Sequence, residues 1–532
     1  MDGFRGTGTL LRLALRRDRV VLPSWVVAYL LYAVGGTAAA VALYPDFRSR
    51  LDAAAAVNAL PAMLLMYGRV WDPHALGSVA MIKPIGFGSI FAAILAILIV
   101  TRHTRTEEES GRLELVRALA VGRWAPVTAA LTLTGGTMLL LAVVDALGVT
   151  AAGLPASSAW AWALSCALTG LTFAALAGVT AQLTQSARAA NVLALLALAA
   201  SFALRGTSDV AGTPQASAWW AWASPVGWQD QVRAFAGDRW WVLALFPLAI
   251  VALALTALRL AAQRDLDAGL LPQRAGRPTA SPLLRSPLAL TVRLQRGLLI
   301  GLFASYVALS LLLGAVASSA TSLLDSAGMR SWLTSVAGTS NATTAFLIFE
   351  LGFVALITAL CGILVALRLR TEEAAGRLEP LLATAVSRTR AYGAQVATAL
   401  LTTTALQATL AIGFRLADTT PQGGSLAQDL GMAAVSLPAI WVITAVAFLL
   451  IGVAPRATAL AWAALAGSML IGEVGPLLHW PSLALDLSPF THVPRIPATP
   501  MAWAPEVVLL AITAALLGAG WWRFHRRDLA PA

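Results

Sequence analysis

The sequence predicts an all-α polytopic membrane protein, with 12 transmembrane helices in two parallel six-helix halves. Three observations support this fold class. Of the 532 residues, 58% are hydrophobic and only 12% are charged, whereas soluble domains carry roughly 25% charged residues. The chain contains apolar segments of about 20 residues, the length that crosses a bilayer as a helix. Finally, one polar segment occurs twice, at a constant offset of 265 residues.

The first half is predicted to comprise residues 1–262. It begins with a segment, residues 3–19, that mixes leucines with five arginines, which is typical of a helix lying at the inner membrane surface. Six apolar segments follow, at approximately 20–44, 84–101, 126–149, 159–181, 189–206 and 240–262.

A linker and a second half follow. Residues 263–287 contain four arginines and four prolines, a composition that predicts an exposed cytoplasmic linker. The second half, residues 288–532, contains apolar segments at approximately 294–318, 344–367, 391–415, 430–454, 458–478 and 504–522.

The distribution of arginines predicts the topology. Arginines are concentrated in the segments before the first apolar run, in 102–123, 263–287 and 368–390, and after the last run, whereas the loops at 150–158 and 417–429 contain no Lys or Arg. The positive-inside rule places the arginine-rich segments in the cytoplasm. We therefore expect a multi-pass protein of the bacterial plasma membrane, with both termini cytoplasmic.

The repeated segment lies between the second and third apolar runs of each half. Residues 105–123 are RTEEESGRLELVRALAVGR and residues 370–388 are RTEEAAGRLEPLLATAVSR. Twelve of the 20 positions in 104–123 match those in 369–388. Topology alone would require charges in both loops, but not the same charges in the same order.

A second, shorter repeat supports duplication of the whole half. Ser224-Pro225 recurs as Ser488-Pro489 at an offset of 264, each before the last apolar run of its half. The spacing between the two signatures is thus conserved to within one residue. Halves in the same orientation imply a parallel duplication.

The residues of the repeat suggest a short helix that binds a partner protein. Thr106 can cap the helix, and Glu107 and Glu108 lie in its first turn, where the helix dipole favours acids. Gly111 interrupts it, and Arg112, Leu113 and Glu114 then supply a cation, an apolar side chain and an anion. The alternative is a solvated loop whose charges only keep it out of lipid.

The chain resembles a known family at this point. Halves of two spans, a charged helix and four spans, with E-E-x-x-G-R-L-E in the first cytoplasmic loop, look like type-2 (ABC-2) permeases of ABC transporters. The chain is similar in particular to fused twelve-span exporters of polyketide antibiotics and tetronasin from actinobacteria. The resemblance implies that residues 102–125 and 368–390 are coupling loops. It implies contact with the ATPase through Thr106, Glu107, Glu108, Gly111, Arg112, Leu113, Glu114, Thr371, Glu372, Glu373, Gly376, Arg377, Leu378 and Glu379.

The resemblance also implies a transporter subunit that is not itself an enzyme. No G-x-x-x-x-G-K-[ST] segment occurs in the sequence, so ATP and Mg²⁺ are expected in a partner, of which two copies would bind. The other expected partners are the lipid bilayer and an amphipathic small molecule, with no nucleic acid. Copy two departs from the pattern at Ala374 and Pro380, so the two docking surfaces need not be equivalent.

Other polar residues offer weaker signals. Glu350 and Glu473 are predicted near the outer ends of their spans and are candidates for a gate or substrate contact. The alternative is that such residues reach interfacial water or pair with each other. The five histidines and two cysteines show no metal-ligand spacing, so no metal site is expected.

Two other functional classes compete with this interpretation. A proton-coupled major-facilitator antiporter also has twelve spans and a basic linker, but its loop carries a different pattern, G-x-x-x-D-R-x-G-R-[RK]. A membrane-embedded transferase would require acid, base or metal-binding residues that converge, and the sequence shows no such cluster.

Overall fold

A computed structural model of the chain describes residues 2–44, 46–59, 61–113, 121–264, 269–270, 279, 281, 284–323, 342–417, 425–473, 481–494, 496 and 499–529. Within these ranges the side chains of residues 2, 42–43, 56, 62, 312, 315–323, 342–350 and 473 are not described.

Two compact units divide the chain, Met1–Gly276 and Arg277–Ala532. Their boundary falls inside the 263–287 segment. Every regular element of three or more residues in the described ranges is helical, which confirms the all-α class. Each unit is described separately below.

In unit 1 the helices are α1 (Thr7–Arg17), α2 (Val21–Leu30), α3 (Gly36–Leu43), α4 (Phe47–Ala59), α5 (Pro61–Tyr67), α6 (Leu76–Ala80), α7 (Ile82–His103), α8 (Arg105–Glu109), α9 (Ala125–Ala151), α10 (Ala156–Leu183), α11 (Ala187–Ala211), α12 (Pro225–Gln231) and α13 (Leu245–Gln263). A π-helical turn, Leu31–Gly35, joins α2 to α3, and short 3₁₀ helices occur at Asp2–Phe4, Trp219–Ala223 and Trp240–Ala244.

In unit 2 the helices are α14 (Pro287–Leu323), α15 (Ala342–Ala374), α16 (Leu378–Leu382), α17 (Arg388–Ala417), α18 (Leu426–Val435), α19 (Leu437–Val453), α20 (Leu460–Glu473), α21 (Ser482–Leu485) and α22 (Trp503–Arg526), with a 3₁₀ helix at Pro489–His492.

Eleven helices in the described ranges are long and apolar enough to cross a membrane, and each coincides with a predicted segment. The remaining segment, 458–478, corresponds to a shorter apolar helix, Leu460–Gly472, and residues 474–480 lie outside the described residues. The polytopic architecture is thus confirmed, while the count of twelve stays a prediction.

The stretch between the first two spans contains three helices, α4, α5 and α6. The C-terminal end of α5 reaches the interior of unit 1, where the guanidinium of Arg205 donates hydrogen bonds to the carbonyls of Leu64 and Met66. Arg205 lies on α11, more than a hundred residues away in the sequence, so no local pattern could reveal this contact.

The core of unit 1 is built around α10, which packs against α7, α9 and α13. Its side chains are mostly small, and Trp162 is fully buried among them. Small residues allow helix backbones to approach closely in a membrane, where dispersion contacts drive association. An added Cβ at Gly170 would approach the Met138 sulfur to 2.6 Å, so α9 and α10 are in direct contact there.

Unit 2 contains a close helix contact between α19 and α22. Gly452 faces Gly520 so closely that an added Cβ on Gly452 would clash with the Gly520 carbonyl oxygen. The Tyr392 hydroxyl lies beside this crossing and donates to the carbonyls of Phe448 and Leu517, at 3.5 and 3.3 Å. The last helix of unit 2 is therefore held against α19 by glycine contact.

Gly452→Val is expected to lower the free energy of unfolding of unit 2 by about 1–3 kcal/mol, because the added methyl groups force two packed backbones apart. The control is Gly518→Val, since Gly518 lies on the exposed side of α22, the helix that Gly452 of α19 contacts, with nothing within 4 Å of an added Cβ. Thermal unfolding in detergent measures both. Equal melting temperatures for the two variants would contradict the close crossing.

Candidate functional site

The first copy of the repeated loop forms a short helix, α8, after a break at Thr104. Glu107 and Glu108 lie in its first turn, as predicted. The helix ends at Glu109, and Gly111, two residues later, has φ +69° and donates its amide to the Glu108 carbonyl at 3.0 Å. A side chain would be strained in this left-handed conformation, so the glycine of the motif is a helix terminator.

The second copy ends in the same way. Gly376 has φ +68°, and its amide donates to the Glu373 carbonyl at 3.0 Å. Here, however, the preceding span does not break, because α15 runs continuously to Ala374. The loop then resumes as α16. The two copies thus end in the same left-handed glycine, but copy one begins as a separate helix and copy two as a continuation of the preceding span.

The expectation that Thr106 caps the helix is wrong. The N-cap of α8 is Thr104, with Thr106 inside the helix. Its counterpart Thr371 lies within continuous α15, and its hydroxyl donates to the Leu367 carbonyl at 3.1 Å, one helical turn earlier. A hydroxyl inside a helix commonly donates to a carbonyl of the preceding turn. In copy two the Thr371 hydroxyl does this and does not cap a helix.

The second glutamate of the motif points inward in unit 1. Glu108 is only 3% exposed and accepts two hydrogen bonds from the guanidinium of Arg264, at 2.6 and 2.7 Å. Arg105 donates to the same carboxylate at 2.7 Å. Arg264 follows α13 directly, and its Nε also donates to the Gln182 side chain near the end of α10, at 2.6 Å. One carboxylate thus connects the loop to the ends of two spans.

Unit 2 repeats this construction. Glu373 is 2% exposed, and Arg527, directly after α22, donates to its two oxygens at 2.5 and 2.8 Å. Arg370 lies 3.4 Å from the same carboxylate. Arg527 also donates to the Ile451 carbonyl near the end of α19, at 3.1 Å. We call each assembly a glutamate junction: Glu108 with Arg105, Arg264 and Gln182, and Glu373 with Arg370, Arg527 and Ile451.

The junctions revise part of the predicted contact set. Glu108 and Glu373 are buried and paired inside their own units, so in this conformation they cannot touch a partner directly. In the sequence, Arg264 falls in the predicted linker, and Arg527 is only one of the arginines that indicate the topology. The sequence contains a weak indication of both, since each arginine immediately follows the last span of its half and they are 263 residues apart.

The first glutamate of the motif stays near the surface. Glu107 forms ion pairs with Arg17 of α1 and with Arg112. Its counterpart Glu372 lies 2.6 Å from both Arg368 and Arg377. The hydrogen bond that the Arg377 Nε donates to the Glu372 carboxylate raises the pKa of Arg377. These arginines offset the unfavourable position of a carboxylate at the C-terminal end of α15, where the helix dipole is negative.

The remaining motif residues divide into inward and outward sets. Leu113 and Leu378 are buried, at 7% and 4% exposure, and anchor their loops. The exposed members are Arg112, Thr371, Gly376, Arg377 and Glu379, whereas Thr106 and Gly111 are half-buried. Glu114 lies outside the described residues.

The N-terminal segment braces copy one. The buried Asp18 carboxylate, at the end of α1, lies 2.6 Å from His103 and 2.9 Å from Arg102. Backbone bonds join the amide of Gly122 to the Arg5 carbonyl, at 2.8 Å, and the amide of Trp124 to the Gly3 carbonyl, at 2.9 Å. The predicted surface helix is thus fixed to both ends of the first loop.

The shorter repeat has a common structure as well. The Ser224 hydroxyl donates to the Ser201 carbonyl of α11 at 3.1 Å, and the Ser488 hydroxyl donates to the Ser468 carbonyl of α20 at 3.1 Å. Both serines are buried, and each is followed by a helical segment that begins with the proline. Each Ser-Pro pair therefore pins the returning chain onto the preceding helix.

Comparison with known proteins gives two matches. Residues 284–525 match the family model described as the C-terminal domain of multidrug efflux system permease Rv1217c. The whole chain is 39% identical over 536 residues to the multidrug efflux system permease protein Rv1217c of Mycobacterium tuberculosis (strain ATCC 25618 / H37Rv), covering 99% of this chain and 96% of the relative. The chain belongs to this family of multidrug efflux permeases.

Unit 1 of the permease contains a buried ionic network that the sequence only partly indicated. Arg205 of α11 is 2% exposed, and its guanidinium lies 3.6 Å from the Asp209 carboxylate. Ser217 donates to Asp209 at 2.7 Å, and Arg69 donates to the Asp209 carbonyl at 2.7 Å. This network fixes α5 and the segment after α11 against α11.

A second acid, Asp230 of α12, completes the network. Burial, followed by the negative charge of Asp209, raises the pKa of Asp230 to about 8. The positive charge of Arg205 opposes this rise. Nearby, the guanidinium of Arg233 lies 3.7 Å from the ring centroid of Trp71, a cation–π contact.

The predicted gate residues are not tested by this arrangement. The backbones of Glu350 and Glu473 lie in α15 and α20, but their side chains are outside the described part of the permease. In unit 2 the guanidinium of Arg415 lies 3.7 Å from the Asp429 carboxylate. Among the described residues, no group of three His, Cys, Asp or Glu side chains could hold a metal ion.

Proposed function

We propose that the permease is the membrane subunit of an ATP-driven ABC exporter of the ABC-2 type, whose two coupling loops each bind a separate ATP-binding subunit. The observation that carries this proposal is the duplicated loop. Both copies have the same left-handed glycine, the same buried glutamate and the same arginine from the end of the last span. A second docking site for an identical partner explains why so specific a structure is built twice.

The surface that contacts the ATPase is narrower than the full motif. We define the docking face as Arg112 in copy one, and Thr371, Arg377 and Glu379 in copy two. Glu114, which lies outside the described residues, is added to it only as the counterpart of Glu379 in the sequence repeat. Exposed charges of both signs in a fixed order give specificity and steer association. The buried glutamates and leucines shape this face from beneath.

The partner supplies ATP and Mg²⁺. The permease lacks the glycine-rich loop with lysine that cradles phosphates, and this supports hydrolysis in another subunit. ATP-driven closure of two such subunits would act on both loops and shift the permease between inward-open and outward-open states. Such a shift requires contacts that differ in strength between the two states.

The name of the relative supports a substrate class, and the charge pattern supports a cellular location. The name of the Mycobacterium relative, a multidrug efflux system permease protein, supports export of several amphipathic drugs, and the resemblance adds polyketide antibiotics. The arginine distribution supports a bacterial plasma-membrane location with both termini and both loops in the cytoplasm.

Reversing the charges at Glu379, which is exposed, and at its sequence counterpart Glu114 is expected to weaken binding of the ATP-binding subunit about five- to tenfold, because the attraction to a cation on the partner becomes repulsion. The permease itself should keep its melting temperature. Co-purification with a candidate ATP-binding subunit, co-expressed with the permease, measures the effect. The control is Arg293→Glu, an exposed charge on α14 outside both loops. Unchanged binding and full ATP-dependent efflux in the double variant would remove these glutamates from the docking face.

A proton uncoupler separates this proposal from the antiporter alternative. Drug efflux from proteoliposomes that contain ATP and the ATP-binding subunit should persist when the proton gradient is dissipated. Efflux that stops with the uncoupler and ignores ATP would favour the major-facilitator mechanism.

A further inference from the structure

We propose that Arg264 and Arg527 are positioning residues that transmit the movement of each coupling loop to the ends of two spans in the same unit. This inference rests on the proposed function, because it assumes that an ATP-binding subunit pushes on the loops. It adds the route by which that push reaches the membrane-spanning helices.

The first step is the rigidity of the contact. Arg264 donates from Nη1 and Nη2 to the two oxygens of Glu108, and Arg527 does the same to Glu373. A planar guanidinium bound at two points fixes both distance and orientation. Because both carboxylates are almost fully buried, solvent screens these pairs little. A loop displacement cannot leave the arginine behind without separating a buried ion pair.

The second step is the set of elements that each arginine connects. Arg264 joins the loop after α7 to the end of α13 and, through Gln182, to the end of α10. Arg527 joins the loop after α15 to the end of α22 and, through the Ile451 carbonyl, to the end of α19. These are the fourth and sixth spans of each half in the predicted order. The hydrogen bond from each arginine to the fourth span uses a different acceptor, a side chain in unit 1 and a backbone carbonyl in unit 2.

The third step is the recurrence of the geometry despite that difference. A pair that only stabilised the loop would not require an arginine from the end of the sixth span that also contacts the fourth span. In both units the arginine directly follows the sixth span, and in both it donates a hydrogen bond to the end of the fourth span. Every push on the loop is thereby delivered to the same two helices in each half.

The double variant Arg264→Lys with Arg527→Lys tests this role. Lysine keeps the charge but binds as a single point, so it cannot hold the loop, the fourth span and the sixth span at once. In proteoliposomes with the ATP-binding subunit, we expect the subunit to bind within twofold of wild type and to hydrolyse ATP. Drug transported per ATP hydrolysed should fall by at least about fivefold, within the range of ordinary coupling energies.

Two exposed arginines on the same last helices provide matched controls. Arg259→Lys on α13 and Arg523→Lys on α22 should leave the ratio of transport to hydrolysis unchanged. A milder variant, Gln182→Leu, removes only the link to α10 and keeps the ion pair. Gln182→Leu should lower the drug transported per ATP hydrolysed, but by less than the double variant does. It still tests the proposal if the double variant folds poorly.

The outcomes separate the two proposals. If wild-type permease does not bind an ATP-binding subunit, the proposed function fails. If the subunit binds and the lysine and leucine variants all retain the wild-type transport per ATP, the transmission role of Arg264 and Arg527 is overturned. A loss of transport that merely follows the amount of folded protein would also overturn it.

Discussion

Glu373→Ala is expected to destabilise unit 2 by about 3–5 kcal/mol, because it leaves the Arg527 guanidinium buried without its carboxylate. Arg527 is held among Glu373, the Ile451 carbonyl and the end of α22, with little access to water. A buried charge without a counter-charge costs far more than the net contribution of the pair. This is the largest single effect that the structure implies for the coupling loops.

Two further variants make the test specific. Glu379→Ala removes an exposed carboxylate six residues later in the same loop and should change the unfolding free energy by less than about 1 kcal/mol. The double variant Glu373→Leu with Arg527→Met removes both charges together and should recover most of the lost stability. Thermal unfolding of purified permease in detergent measures all three. Equal losses for Glu373→Ala and Glu379→Ala would show that Glu373 is not buried in an ion pair.

Arg205→Ala is expected to destabilise unit 1 by about 2–5 kcal/mol. The substitution leaves the Asp209 carboxylate buried and frees the carbonyls of Leu64 and Met66 from their donor. Because those carbonyls end α5, we expect the helices between the first two spans to lose their attachment to α11.

Limited proteolysis and thermal unfolding measure this effect together. Cleavage should increase within residues 45–81 before the rest of unit 1 becomes accessible. The control is Arg188→Ala, an exposed arginine at the start of the same α11, which should leave both measurements unchanged. An Arg205→Ala variant with wild-type proteolysis and melting temperature would contradict the network.

Composition and repetition predicted much of this fold. Apolar runs of span length give helices because lipid offers the backbone no other partner, and eleven of them were located in this way. Gly111 and Gly376 were predicted to interrupt the loop helices, and both adopt the left-handed conformation that such an interruption requires. These features depend on local sequence, so they are visible without a structure.

The burial of Glu108 and Glu373 could not be predicted in the same way. A glutamate in a charged loop is indistinguishable from a solvated one until its partner is known, and the partners lie 156 and 154 residues away in the sequence. The α4–α6 helices were missed for a related reason. Their attachment depends on Arg205, which local periodicity treats only as a charge near a membrane surface.

The two loops differ at their surfaces, although their glutamate junctions are similar. Copy one is braced by the N-terminal segment through Asp18 and Arg17, and its helix breaks from α7 at Thr104. Copy two continues α15 without a break and pairs Glu372 with Arg368 and Arg377. If each loop binds an ATP-binding subunit as proposed, we expect the two sites to differ in affinity, because similar junctions lie beneath different surfaces.

The number of ATP-binding subunits bound to one permease tests the central claim most directly. Native mass measurement of the complex, trapped with ATP and a hydrolysis-deficient ATP-binding subunit, should give two subunits per permease chain. Glu379→Lys alone should reduce the occupancy of one site and leave the other intact. Drug efflux by the purified permease with no ATP-binding subunit bound would contradict the account.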